Sequence, residues 1–378
     1  MSWTYDEITK DWLGPSVIAV PPEEVVAAFE RCEHVLGRDW INQSRGTFTT
    51  GAAPTLHVVI TGQRLASLDG IAATDSLVSK LAKGDSSAGA ELHAIHLLRS
   101  GGGTAVELFP KVNVGNNEKE PDLQVRRGDD HPWTYVEVTQ PDVSGAHERA
   151  SAVLYMLTGV IEAIARPFDL EVFLRREPVD EEVNSMLSEI LSFSAATESG
   201  RKELRCGLGL LFLRGAPSGP VTTDDHGEEP LPRIGRATVK VENGVPTRRV
   251  IVRMPYADGR AAKMLSREAK QLPEEGPGLV MVDMSNAPGG FSSWEPIIRR
   301  RLHPAQHTRI GGVCLFSAGT LLTERGFAVL SQTKFLTHHH AKAPLAPWIE
   351  ATLFAAGDEY RAMGVQTVKT TAPFDNRQ

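Results

Sequence analysis

Two carboxylates interrupt what otherwise reads as a pair of apolar strands in EPDLQVRRGDDHPWTYVEVTQPD, residues 120–142: Asp122 at the head of the first run and Glu137 inside the second. If the runs pair as an antiparallel hairpin with Asp122 opposite Glu137, Val125 faces Thr134 and RGDDHP forms the loop. Strand alternation then sets Asp122, Gln124 and Arg126 on one face with Trp133, Tyr135, Glu137 and Thr139. Leu123, Val125, Val136 and Val138 take the other, which is expected to be the core face. Opposed Cβ atoms in such a ladder lie about 4.5–5.5 Å apart, so both carboxylates can reach one ion, and they repel each other if none is there. Magnesium or manganese has the matching chemistry, because hard cations prefer carboxylate oxygens. The alternative is a hairpin face open to water with its charges solvated.

A third acid narrows the choice. In SSAGAELHAIHLLRS, at about 100° per residue, Ile95 lies about 40° from Glu91, Ala88 about 60° and Leu98 about 20° on the other side. Glu91 therefore occupies the centre of the apolar face of a helix, where a carboxylate is rarely left without a cation or an ion-pair partner. Either a metal or a salt bridge to an arginine such as Arg126 meets that need.

The elements that must position these residues can be read in order. Residues 1–62 form a helical entry segment, with a helix start at Pro21-Pro22-Glu23-Glu24 and a stop at Gly37, followed by a strand-like LHVVITG, Leu56 to Gly62. Helical periodicity runs from Thr74 to Arg99, breaks near Gly84 and ends at the glycines 101–103. Strands are expected at TAVELF, DLQVR and WTYVEVT, then a helix from about Ser144 to Ala165, a strand DLEVFLRR and a helix around DEEVNSMLSEIL. Residues 63–200 thus form an αβββαβ core, and interleaved strands and helices imply an α/β fold. Residues 201–378 make a further α/β region, with a Gly/Pro/Asp-rich loop near 215–232 and later strands at RATVKVE, RRVIVRM, GLVMVDM, GGVCLFSA and GFAVLSQTKFL.

A helix glutamate, then Pro121-Asp122, then Glu137-Val138-Thr139 within αβββαβ resembles the PD-(D/E)xK nuclease superfamily, the restriction-endonuclease-like fold, over about Thr74 to Leu191. The resemblance implies that Glu91, Asp122 and Glu137 are metal ligands for Mg²⁺ or Mn²⁺. It also implies hydrolysis of phosphodiester bonds in nucleic acid, DNA ahead of RNA. The family's motif lysine falls on Thr139, whose hydroxyl can position a water but supplies no positive charge. Asp122, Glu137 and Thr139 are then the catalytic candidates. Lys111, Lys119 and Arg126 are possible sources of the missing charge, whereas Gln140 points to the opposite face. The alternative function is a catalytically inactive nuclease-like domain that binds nucleic acid or a protein partner.

Composition limits the remainder. The net charge of −7 supplies no overall field for polyanions, so any such contact must be local. Cys32, Cys206 and Cys314 are widely spaced and match neither zinc nor disulfide frameworks. With no signal-like start and no long apolar run, the expectation is a cytoplasmic protein without a membrane partner. GGGTAV lacks the Lys-Ser/Thr of a phosphate-binding loop, and no GxSxG elbow is present. His338-His339-His340 projects in alternating directions, unlike a metal pair on one helix face, and Arg299-Arg300-Arg301 reads first as a solvated helix end.

Overall fold

The computed structural model describes residues 2–45, 51–115, 117–141, 144–176, 178–217, 233–255, 258–287 and 290–359. The expected loop near 215–232 therefore lies mostly outside the described residues. The chain begins with helices α1 (Tyr5–Ile8), α2 (Pro22–Leu36), α3 (Arg38–Gln43), α4 (Ala52–Leu65), α5 (Asp75–Ala82) and α6 (Ser86–Arg99). Strands β1 (Thr104–Leu108), β2 (Val112–Val114), β3 (Asn117–Lys119), β4 (Leu123–Arg127) and β5 (Thr134–Thr139) come next. They are followed by α7 (Ser144–Ala163), β6 (Phe168–Leu174), α8 (Asp180–Ala196), β7 (Gly200–Glu203), β8 (Gly209–Arg214), β9 (Arg233–Glu242) and β10 (Val245–Pro255). The last elements are α9 (Asp258–Ala269), β11 (Gly278–Asp283), α10 (Gly290–Arg301), β12 (Ile310–Thr323), β13 (Gly326–Thr337) and α11 (Pro347–Glu359).

This is an α/β fold with two compact units. The first comprises Met1–Pro141, Lys263–Ala287 and Ile298–Gln378, and the second Asp142–Ala262 and Pro288–Ile297. The helical segment 1–62 belongs to the first unit, and position 200 falls inside the second.

The first unit holds a six-stranded sheet in the order β1-β4-β5-β11-β12-β13. β4 and β5 form the expected hairpin in the expected register, with Leu123 opposite Val136, Gln124 opposite Tyr135 and Val125 opposite Thr134. β11 lies parallel to β5 and sets Val280 beside Glu137 and Val282 beside Thr139. Leu123, Val125, Val136, Leu279 and Met281 join one hydrophobic core with Leu92 and Ile95 of α6. Both faces of the hairpin are covered, since Gln124, Glu137 and Thr139 are buried as well. The solvated-face reading of the hairpin is thereby excluded.

Two expectations are corrected. Residues 56–62 are not a strand but the body of α4, where Leu56, Val58 and Val59 are buried and Gly62 packs on α2. A Cβ at Gly62 would stand 2.4 Å from the Ala28 carbonyl oxygen, so this close helix approach tolerates only glycine. Tertiary burial overrides the strand preference of the β-branched run here. In addition, the helix and strand at 144–174 do not complete the sheet that carries Glu137. They are α7 and β6 of the second unit, whose sheet runs β7-β8-β6-β10-β9. The neighbour of β5 is β11, reached through the C-terminal part of α9 after residues 142–262 have folded as a unit of their own.

Candidate functional site

Asp122 neighbours both Glu91 and Glu137, and a fourth acid, Glu268, acts on Asp122 and Glu137. β4 and β5 carry Asp122 and Glu137 to adjacent positions. Asp122 lies just before the ladder, and its Oδ2 accepts the Val138 backbone N–H at 2.7 Å. The two carboxyls act on each other, and the Asp122 charge raises Glu137. Glu137 is 5% exposed, and its Oε1 is buried without a hydrogen-bond partner.

Glu91 enters from α6, which is N-capped by Asp85 through its bond to the Ser87 N–H at 2.8 Å. It is 6% exposed and feels the charges of Asp122, Lys80 and Asp85. The alternative salt bridge to Arg126 does not form: Arg126 pairs with Asp129 at 2.9 Å and lies over the Trp133 ring at 4.6 Å.

Glu268 on the last turn of α9 completes the cluster. It is 4% exposed, and its charge acts on both Asp122 and Glu137. Sequence reasoning missed it although the signal was the same one that marked Glu91. In GRAAKMLSREAKQL the buried positions Ala261, Met264, Leu265 and Leu272 leave Glu268 on the apolar stripe. Its neighbour Arg267 donates from Nη2 to Thr139 Oγ1 at 2.8 Å, and from Nε to Glu268 Oε1 at 2.8 Å. This contact places α9 over the sheet face that bears Glu137 and Thr139.

Four carboxylates thus meet two cations, Lys80 on the Glu91–Asp122 side and Arg267 on the Glu137 side. The surplus of negative charge in a desolvated site drives proton uptake. Burial, then the Asp122 and Glu268 charges, push Glu137 up to about 10. Burial and the Asp122 charge push Glu91 up to about 7. Burial also raises Asp122, against the opposing hydrogen bond from Val138.

Of the residues proposed to restore positive charge, Lys111 is bound to Glu118 at 3.2 Å and Arg126 to Asp129. Neither they nor Lys119 is among the charges acting on the carboxylates. Gln140 turns to the Ser86 carbonyl and to Asp283 Oδ2 at 3.0 Å. His338 is buried with Nδ1 2.8 Å from the Ile310 carbonyl oxygen, an internal structural contact.

Among the described residues no group of three or more His, Cys, Asp or Glu side chains could hold a metal ion as placed. Glu91, Asp122 and Glu137 are therefore neighbours in one electrostatic cluster, not three converged ligands. A two-carboxylate site still suits the residues present: the donors are hard oxygens, Glu137 Oε1 is unpartnered, and Mg²⁺ typically takes one or two carboxylates plus waters and phosphate oxygens.

No family model and no curated protein matches the chain. Among solved structures, the central domain of yeast acetyl-CoA carboxylase is similar at 10% identity and a TM-score of 0.14, covering 83% of this chain. The chain spans 59% of that structure's length, and at that score the likeness bears on neither fold nor function. Among the described residues no helix is long and apolar enough to cross a membrane.

Proposed function

We propose that the first unit is a restriction-endonuclease-like core that hydrolyses phosphodiester bonds in nucleic acid with Mg²⁺ or Mn²⁺. The carrying observation is the buried Asp122–Glu137 pair, with Glu91 acting on Asp122, Glu268 acting on both members and Arg267 of α9 bound to Thr139 beside them. The element order supports it. α6, β1, β4 and β5 are followed, after the intervening unit, by the C-terminal part of α9 and β11, which restores αβββαβ around a different helix and strand from those the sequence suggested.

Asp122 and Glu137 are the residues that would hold the ion, with Glu137 giving up its proton. A divalent cation there supplies Lewis-acid polarisation of a phosphoryl oxygen and a more acidic water. Glu91, shifted to about 7, is half ionised at neutral pH and suited to accept a proton from an attacking water. Thr139 Oγ1 already accepts from Arg267, so its own O–H remains to donate to a reacting oxygen. Arg267, whose side chain is 66% exposed, adds the fixed charge that the threonine lacks and suits a phosphate oxygen approaching from solvent.

The test is incubation of the purified protein with Mn²⁺ and single- or double-stranded DNA or RNA. Divalent-dependent cleavage, lost in Asp122→Asn, is the expected result. Salt-sensitive binding without cleavage would favour the inactive, nucleic-acid-binding alternative, and the absence of cleavage, binding and metal uptake would overturn both.

A further inference from the structure

The outer edge of the second unit's sheet has the makings of a contact with another copy of the chain. β9 is the terminal strand, paired to β10 on one side, and among the described residues no strand pairs with its other side. A free edge is a row of unpaired N–H and C=O groups, and stable proteins usually guard it with outward lysines, a proline or a bulge. β9 guards it poorly. Lys240 lies on the face toward α7, its Nζ held by Glu162 Oε2 at 3.0 Å. The odd-numbered face carries Gly235, Ala237, Val239 and Val241, all exposed, with Val239 at 45% and Val241 at 56%. That pattern is apolar where a solvent-facing edge should be polar.

A two-fold axis normal to a sheet can join two identical edges only as antiparallel strands in which facing residues share a face, so one residue must lie on the axis. Centring on Thr238 sets Arg236 against Lys240, a like-charge pair. Centring on Ala237 leaves Arg236 opposite Thr238 and Lys240 opposite Ile234. Centring on Val239 sets Arg236 opposite Glu242 at both ends, Ala237 opposite Val241, and Val239 opposite its own counterpart. Of these three, only this register opposes unlike charges while facing Ala237 with Val241 and Val239 with its own counterpart. Glu242 is 46% exposed, so its carboxylate is within reach of a second guanidinium while it still meets Arg248.

We propose that β9 of one chain pairs with β9 of a second copy, antiparallel about Val239, to make a homodimer with a continuous ten-stranded sheet. The dimer does not depend on the nuclease reading, since every residue used belongs to the second unit.

Sedimentation and disulfide trapping test it. The wild-type chain should sediment as a dimer at micromolar concentration, and Val239→Lys should raise its dissociation constant at least about tenfold with an unchanged far-ultraviolet circular dichroism spectrum. Trapping uses a Cys206→Ser background, because Cys206 is exposed while Cys32 and Cys314 are buried. Facing Cα atoms about 4.5–5.5 Å apart suit a disulfide. Val239→Cys should therefore cross-link to itself under mild oxidation. Val241→Cys, displaced about 14 Å from its counterpart in this register, should not. A monomeric wild type, a dimer indifferent to Val239→Lys, or equal cross-linking at 239 and 241 would each overturn the proposal.

Discussion

Arg267 Nη2 donates to Thr139 Oγ1 at 2.8 Å, so a guanidinium from α9 stands against the position where the PD-(D/E)xK pattern has a lysine. The two residues are separated in sequence by residues 142–262 of the second unit. If this contact supplies the missing charge, Arg267→Ala should lower divalent-dependent cleavage by about a hundredfold or more, as for loss of one transition-state charge contact. Thr139→Lys should recover activity only in the Arg267→Ala background, because beside Arg267 a new ammonium is repelled. Single-turnover cleavage assays on the four proteins decide it. Unchanged activity in Arg267→Ala removes the arginine from the site.

The Asp122–Glu137 pair predicts an unusual pH dependence. The fold raises Glu137 from its ordinary 4.5 to about 10, so it favours the neutral carboxyl. That contribution to stability is complete below the unfolded value and is lost as pH rises towards the folded one, with Glu91 adding a loss between 4.5 and about 7. The metal-free protein should therefore melt at progressively lower temperature from about pH 5 to pH 9. Glu137→Gln, which is neutral throughout, should flatten much of that slope. Melting curves across pH are the measurement, and parallel slopes in the two proteins would contradict the assignment.

Metal uptake should carry the opposite pH signature. With Glu137 raised to about 10, its proton must leave before both carboxylates can coordinate, so apparent Mn²⁺ affinity should rise with pH, with about one proton released per ion. Calorimetric titration in buffers of different ionisation enthalpy reads that proton directly. Asp122→Asn with Glu137→Gln should abolish uptake and, in metal-free buffer near pH 8, raise the melting temperature by removing the cost of keeping Glu137 protonated above its unfolded value. It should also erase the rise in melting temperature that Mn²⁺ gives the wild type.

Gly62 tests the fold independently of function. Its missing side chain lets α4 approach Ala28 of α2, where a Cβ would meet the Ala28 Cα at 2.6 Å. Gly62→Ala should destabilise the protein by about 1–3 kcal/mol through overpacking, although alanine is the better helix former. Chemical denaturation gives the value, and a stabilised variant would show that the two helices can separate.

Short-range patterns in the chain carried much of the site. The register of the β4–β5 hairpin was legible because a period of two allows only pairings that keep Leu123, Val125 and Val136 on a common face, and opposing Asp122 to Glu137 leaves RGDDHP as the loop. Glu91 was legible because a helix period places it on the apolar stripe of α6. Burial of Glu137 and Thr139 was not, since that depends on α9 covering a face which the hairpin alone leaves open.

What the tertiary structure alone decided is which distant elements meet. Alternation and periodicity are local, so they assigned α7 and β6, the next helix and strand along the chain, to the sheet of Glu137. The sheet instead closes on β11, because a folded unit between residues 142 and 262 can be inserted wherever its two ends emerge close together. Glu268 and Arg267 reach Asp122, Glu137 and Thr139 only through that closure. Periodicity could place Glu268 on a buried face of its own helix, but the identity of the facing carboxylates, and hence the upward shift of Glu137, is set by contacts across the sheet.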